Sequence, residues 1–344
     1  NYLLTSIRNF TKFKLYSFIN LMGLSIGFAA FILIYVFIQH ELSYDQFHTN
    51  KANIVKANLE FGTGPDDFEP VSVTPTALLP VFTEKFPEVT GGTRYFNPSS
   101  FRPSVVMENS TAIQEKGFAY ADSTFFDVFS YEMIAGNPNT VLVAPYSLVL
   151  TESAALKYFG KTDPIGKELI VNERNYFVKG IMQDVPDNSH IQFTMLASFS
   201  SHPMSKKTVW WSANYFTYLT LASETALSTL EPKIQPLLVE QEYSQPEQGF
   251  YANVKLVPLT DIYLRSEADA LSDIKYTYIF AAIGLIIIII AAINYMNLAT
   301  ARSVTRAKEV GIRKVTGASR WSLILQFVSE AVLMSVFSLI IAFV

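Results

Sequence analysis

Several places in this sequence hold residue types that could do chemistry. His40-Glu41-Leu42-Ser43-Tyr44-Asp45-Gln46-Phe47-His48 puts two imidazoles and two carboxylates close together, a composition that can hold a metal. The spacing is not H-E-x-x-H and no third ligand pattern accompanies it, so the stretch reads as a helix end and the first turn after it. Gly160-Lys161-Thr162 has the tail of a phosphate loop. That loop needs a glycine five positions earlier so that its backbone amides can wrap the phosphates, and Ala155 stands there. Asp184, Asp187 and His190 could serve as a catalytic trio, but no nucleophile accompanies them and they read as turn builders. Trp210 and Trp211 with Tyr215, Phe216 and Tyr218 read as hydrophobic core rather than a ligand surface. The chain has no cysteine, which removes disulfides, thiolate metal sites and cysteine nucleophiles. No hydrolase or kinase signature occurs. No catalytic, cofactor-binding or metal-binding residue is expected.

The remaining chemically loaded stretch is Ala301–Ser322. It carries six basic residues, Arg302, Arg306, Lys308, Arg313, Lys314 and Arg320, against one acid, Glu309. On a helical wheel Arg302, Arg306, Glu309 and Arg313 share one stripe, with Val304, Ala307, Gly311 and Val315 opposite. Gly317 suits a left-handed helix stop and Ser319 a cap for the next helix. The spacing predicts a short basic amphipathic helix, a tight turn and a helix entering the membrane.

Three apolar runs must position this stretch. Residues 17–38 hold no charge, and about 22 residues at ~1.5 Å each span a ~30 Å hydrocarbon core. Within them Gly23 and Gly27 fit the small-xxx-small helix-packing pattern. Residues 277–299 form a second run, and a third begins near residue 323. Residues 1–16 carry three bases and no acid, whereas residues 40–276 carry 17 bases and 28 acids. By the positive-inside rule, both basic margins are cytoplasmic and the acidic middle lies outside. Glu330, in the third run, reads as an anchor able to reach the interface or the basic loop.

The predicted organisation is a cytoplasmic amphipathic helix over 1–16, a first span over 17–39, an extracytoplasmic α+β domain over 40–276, a second span over 277–299, a cytoplasmic loop over 300–322 and the start of a third span over 323–344. Inside the domain, strand–helix–strand patterns at about 50–100 and 209–261 close around an inserted lobe at about 101–208, and 262–276 forms a helical stalk extending the second span. The fold class is therefore a membrane protein with α-helical spans, the third truncated, and a large extracytoplasmic α+β domain between the first two.

The run from Arg306 to Ser319 (RAKEVGIRKVTGAS) resembles a stretch of the MacB/FtsX-type ABC transporter permeases, which include the macrolide-exporter and lipoprotein-releasing permeases. Ala121-Asp122-Ser123-Thr124-Phe125-Phe126, and Tyr158-Phe159-Gly160 followed by Asp163-Pro164-Ile165-Gly166-Lys167, are similar to two further family motifs. The resemblance implies a permease without ATPase activity of its own, driven by a cytoplasmic ABC ATPase dimer. It implies four spans per unit and a second permease unit, as a homodimer or a repeated half, so the chain reads as part of a longer permease. A periplasmic adaptor or lipoprotein is a further partner the family admits; no nucleic acid and no cofactor are expected. The location implied is the bacterial cytoplasmic (inner) membrane, multi-pass, with the N-terminus in the cytoplasm. Arg306, Glu309, Gly311, Ile312, Arg313, Lys314 and Gly317 become the candidate ATPase-coupling residues. The alternative, a two-span receptor with an outer sensing domain, requires a long heptad helix after the second span, where this chain turns back at Gly317.

Overall fold

The computed structural model describes residues 14–343 except 65–66, 99–102, 109–110, 269 and 318, and for 108, 111, 302–306, 308, 309 and 313 it describes the backbone alone. Residues 1–13 of the expected amphipathic helix lie outside the described residues. The chain divides into two compact units, Ser43–Asp273 and the helices that flank it.

The flanking unit is built from α1 (Lys14–Leu42), the long helix Ile274–Val315 and a last helix Arg320–Ala342, each holding a segment long and apolar enough to cross a membrane. All three overrun the apolar runs, because nothing at the run boundaries breaks a helix. The second runs unbroken for 42 residues, about 63 Å at ~1.5 Å per residue. Basic amphipathic segment and span are thus one rod, not two helices.

Ser43–Asp273 contains, in order, β1 (Ile54–Gly64), β2 (Asp67–Val71), β3 (Thr74–Pro75), α2 (Leu78–Lys85), β4 (Val89–Phe96), β5 (Ser104–Glu108), β6 (Thr111–Glu115), β7 (Phe118–Ala121), α3 (Phe125–Val128), β8 (Met133–Ala135), β9 (Ser147–Thr151), α4 (Glu152–Phe159), β10 (Glu168–Val171), β11 (Arg174–Met182), β12 (Met195–Ser198), β13 (Ala213–Leu221), α5 (Ala226–Glu240), β14 (Tyr251–Pro258) and α6 (Ile262–Arg265). The helices Ile274–Val315 and Arg320–Ala342 are α7 and α8.

These strands form one sheet with the main order β14-β1-β13-β4-β7-β12-β9-β11-β10-β5-β6, and beside it β2 pairs with β1, β3 with β13 and β8 with β11. Strand alternation sorts the side chains. Val55, Ala57 and Leu59 of β1 join Leu219 and Leu221 of β13 under Phe82 of α2 and Leu230 and Ile234 of α5. Ile54 and Tyr218 face a second core built around Phe125, Phe129 and Tyr131. The middle third is not a separate lobe: Tyr95 pairs with Ala121 and Phe96 with Tyr120, so the ladder passes straight into it. There β9 and β11 lie parallel with α4 in the connection between them, the arrangement that parallel neighbours require.

The motifs at 121–126 and 158–167 sit at the joints of this sheet. Asp122 accepts from Arg94 Nε at 2.8 Å and from its second terminal nitrogen at 2.9 Å, while Phe125 is fully buried beneath. Gly166 adopts φ +79 in the turn before β10.

The stretch 262–276 is not the helical stalk expected. Ile262, Tyr263 and Leu264 are buried in the domain, α6 stops at Ser266 in extended backbone, and a new helix starts only at Ile274. Its apolar residues pack sideways into a core, which a free-standing stalk has no means to offer.

Candidate functional site

The basic turn is assembled locally. At its helix end Thr316 N–H donates to Ile312 O at 3.0 Å and Gly317 N–H to Lys314 O at 3.3 Å. Gly317 has φ +93, a left-handed conformation that closes the helix and that a Cβ would strain. Ser319 then caps α8, its hydroxyl accepting from Ser322 N–H at 3.2 Å. Lys314 and Gly311 are exposed, and a Cβ at Gly311 would meet nothing within 4 Å. Exposed apolar groups accompany the charges: Ile312 at 59%, Val315 at 90% and Trp321 at 73%. The structure places Arg306, Glu309 and Arg313 on the same continuous helix, with their side chains outside the described atoms. A basic helix end with an apolar fringe is a surface suited to a protein partner. Trp321 belongs to it and was not singled out by charge pattern, although an indole next to Arg320 at a membrane margin is a readable signal.

The glycines of the first span pack against the second. A Cβ on Gly27 would lie 2.7 Å from Ala291 Cβ, and one on Gly23 would lie 3.1 Å from Asn294 Nδ2. Farther along, Gly284 faces Ile34 and Phe31, and Phe37 meets Phe280 edge-on at 5.1 Å. Rising numbers on α1 meet falling numbers on α7, so the helices run antiparallel at close range. Sequence reading found one side of this contact; Gly284, Ala291 and Asn294 were missed because their spacing spells no motif. Helix α8 joins through Ser338, whose hydroxyl donates to Leu21 O at 3.3 Å.

Glu330, expected to reach the interface or the basic loop, shares a cavity with Ala307 and Val310 of the basic stretch. It lies on the buried stripe Gln326–Glu330–Met334–Ser338 of α8 and lines this cavity, of about 600 Å³, with Tyr295, Thr300 and Val310. The four-residue spacing brings all four onto one helix face, which is the face turned to the bundle.

The motifs set aside as chemistry are occupied structurally. Gly160-Lys161-Thr162 follows the C-terminal end of α4, Gly160 N–H donating back to Leu156 O, so carbonyls rather than amides face it. Asp184 is bonded by the backbone and hydroxyl of Ser153, and these bonds hold its carboxyl below the usual range. His190 goes instead to Asp45, at 2.8 Å. The aromatic cluster is divided among cores: Tyr215 and Tyr218 are buried in different ones, Trp210 packs at a tilt against Tyr243 and Trp211 is exposed. Among the described residues no three His, Asp or Glu side chains gather to hold a metal.

The sequence matches the family described as MacB-like periplasmic core domain over residues 17–237, and FtsX-like permease C-terminal over residues 281–344. It is 24% identical over 295 residues to a macrolide export ATP-binding/permease protein, MacB, of Marinobacter nauticus, covering 79% of this chain and 38% of that protein. It is 22% identical over 233 residues to a pyoverdine export ATP-binding/permease protein, PvdT, of Pseudomonas syringae, covering 62% and 32%. The chain thus spans well under half the length of these relatives. Among solved structures, a domain of a Porphyromonas gingivalis protein described as a permease shares the fold, with TM-score 0.52, 23% identity, and 61% of this chain and 91% of that chain covered.

Proposed function

This chain belongs to the MacB/FtsX-type ABC transporter permeases, and from that premise we propose that it converts ATP hydrolysis by a separate cytoplasmic ATPase into movement of its extracytoplasmic domain. The observation that carries the reading is the unbroken α7. Its outer end begins immediately after the domain and its inner end is the exposed basic turn closed by Gly317. A rod gripped at one end moves at the other, and the close packing of α7 on α1 through Gly23 and Gly27 moves both helices together.

In this reading Arg306, Glu309, Arg313 and Lys314 make polar contacts to the ATPase, Ile312 supplies an apolar one, Gly311 admits a close approach and Gly317 fixes the turn. The basic margins face the cytoplasm of a bacterial cell with the protein in its inner membrane, a second permease unit completes the assembly, and a periplasmic adaptor or lipoprotein can engage the domain. The named activities of the relatives, macrolide and pyoverdine export, indicate efflux as the class of work. The chain turns and starts α8 where a receptor would extend a signalling helix, which disfavours the receptor alternative.

The test is a pair of variants, Gly311→Trp and Arg313→Glu, in the full chain. Loss of ATPase co-purification with normal membrane insertion is expected; unchanged association and ATP-driven transport in both would refute the assignment. Lys116 and Lys161 are expected to react with impermeant reagent on intact spheroplasts while Lys314 does not; the reverse pattern would overturn the topology.

A further inference from the structure

The two stretches set aside above as chemistry, His40–His48 and the turn containing His190, form one network at the start of the domain. Asp45 is fully buried and holds φ +56, a left-handed backbone unusual for a residue with a side chain. Its N–H donates to Asn188 O at 2.9 Å. Its Oδ1 accepts from His190 N–H at 3.2 Å and Ser189 hydroxyl at 3.4 Å. Its Oδ2 meets His190 Nδ1 at 2.8 Å, close enough for an ion pair but without in-line hydrogen-bond geometry. Asn188 Nδ2 returns two bonds to Ser43, to the carbonyl at 3.1 Å and the hydroxyl at 3.0 Å. His48 Nδ1 accepts from Ser130 N–H at 3.0 Å, and the Tyr44 ring stacks on Tyr263 with centroids 3.3 Å apart.

Resting on the coupling reading above, we propose that this network is the joint through which movement of α1 is delivered to the domain, with Asp45, Asn188 and His190 as its positioning residues. Ser43 directly follows Leu42, the last residue of α1, so any force α1 exerts along the chain arrives there. A plain tether would be free to move, because fixing a backbone residue costs conformational entropy, and here every residue from Ser43 to Asp45 is fastened by a side chain or backbone partner. The joint reaches the sheet because His190 Nε2 lies 2.8 Å from the Tyr218 hydroxyl on β13.

The natural absence of cysteine permits a direct test on the full chain with its co-purified ATPase in nanodiscs. The readout is the ATP-dependent change in hydrogen exchange of β1 and β13. Asp45→Ala is expected to keep ATP hydrolysis and lose the exchange change. Adding Ser43→Cys and Asn188→Cys, joined by a one-carbon thiol cross-linker, is expected to restore it. An exchange change that survives Asp45→Ala, or one that stays lost after cross-linking, overturns the joint. A wild-type chain showing no ATP-dependent change would instead remove the coupling reading, and the joint with it.

Discussion

His190 Nδ1 stands 2.8 Å from Asp45 Oδ2, although the two residues are 145 positions apart, and both side chains are almost wholly shielded from water. Removing one partner strands the other polar group in the interior, which typically costs about 3–5 kcal/mol for a buried pair. Asp45→Ala also puts a residue intolerant of φ +56 at that position, whereas Asn tolerates left-handed backbone and keeps an acceptor. Thermal unfolding of the domain, followed by near-ultraviolet circular dichroism, is expected to fall in the order wild type, Asp45→Asn, Asp45→Ala. An Ala variant as stable as the Asn variant would contradict the assigned geometry.

The two spans are predicted to be separable by size alone. Gly27→Leu drives a side chain into Ala291, whose Cβ already stands 2.7 Å from the modest Cβ position. A loss of about 1 kcal/mol or more in helix association is expected, with partial recovery on adding Ala291→Gly. The double-mutant cycle reads the coupling; strictly additive effects would show that the helices do not meet there.

Acid should weaken the domain through a named residue. Burial is the main cause that lowers His48 to about 4, against a partial opposing effect from Asp45. Its Nδ1 accepts the Ser130 N–H, so protonating that nitrogen breaks the bond. A folded value below the ordinary 6.5 means the neutral form stabilises the fold: the contribution is full above about 6.5 and is lost as pH falls toward 4, on the order of 3 kcal/mol. His202, also lowered to about 4 by burial with Arg174 adding to the effect, shifts in the same direction. Stability measured between pH 7 and 4 should fall less steeply in His48→Gln; an unchanged slope would exclude His48 as a source.

The basic turn offers two glycines with different physics. Gly317→Ala forces a Cβ into φ +93, and a cost of about 1 kcal/mol to the local turn is expected, visible as faster proteolysis between α7 and α8. Gly311→Trp meets open space and should leave proteolysis unchanged while reducing ATPase capture. Equal proteolytic sensitivity in both variants would mean that Gly311 is a folding residue.

Much of this protein was legible in the sequence because the determining signals are local. Apolar runs long enough to cross a bilayer, charge on their flanks, a glycine able to turn left-handed at 317 and a serine able to cap at 319 each act within one or two helical turns. Strand and helix positions at both ends of the domain followed from short-range periodicity for the same reason. The extension of the second span into one 42-residue rod was hidden, since hydropathy stops where the charges begin while the helix does not.

Tertiary structure alone decided which residues meet. Gly27 announces a close contact, but nothing near it in sequence names Ala291. Glu330 could reach the interface or the basic loop by its position in the sequence, and only the roll of α8 sets its stripe against the bundle. Asp45 sits in a motif that fails as a site by its spacing and His190 in one that fails for want of a nucleophile, and only the path of the sheet between them brings them together. Local sequence sets what each segment can form; partners are chosen by a shared core, and that is a property of the whole chain.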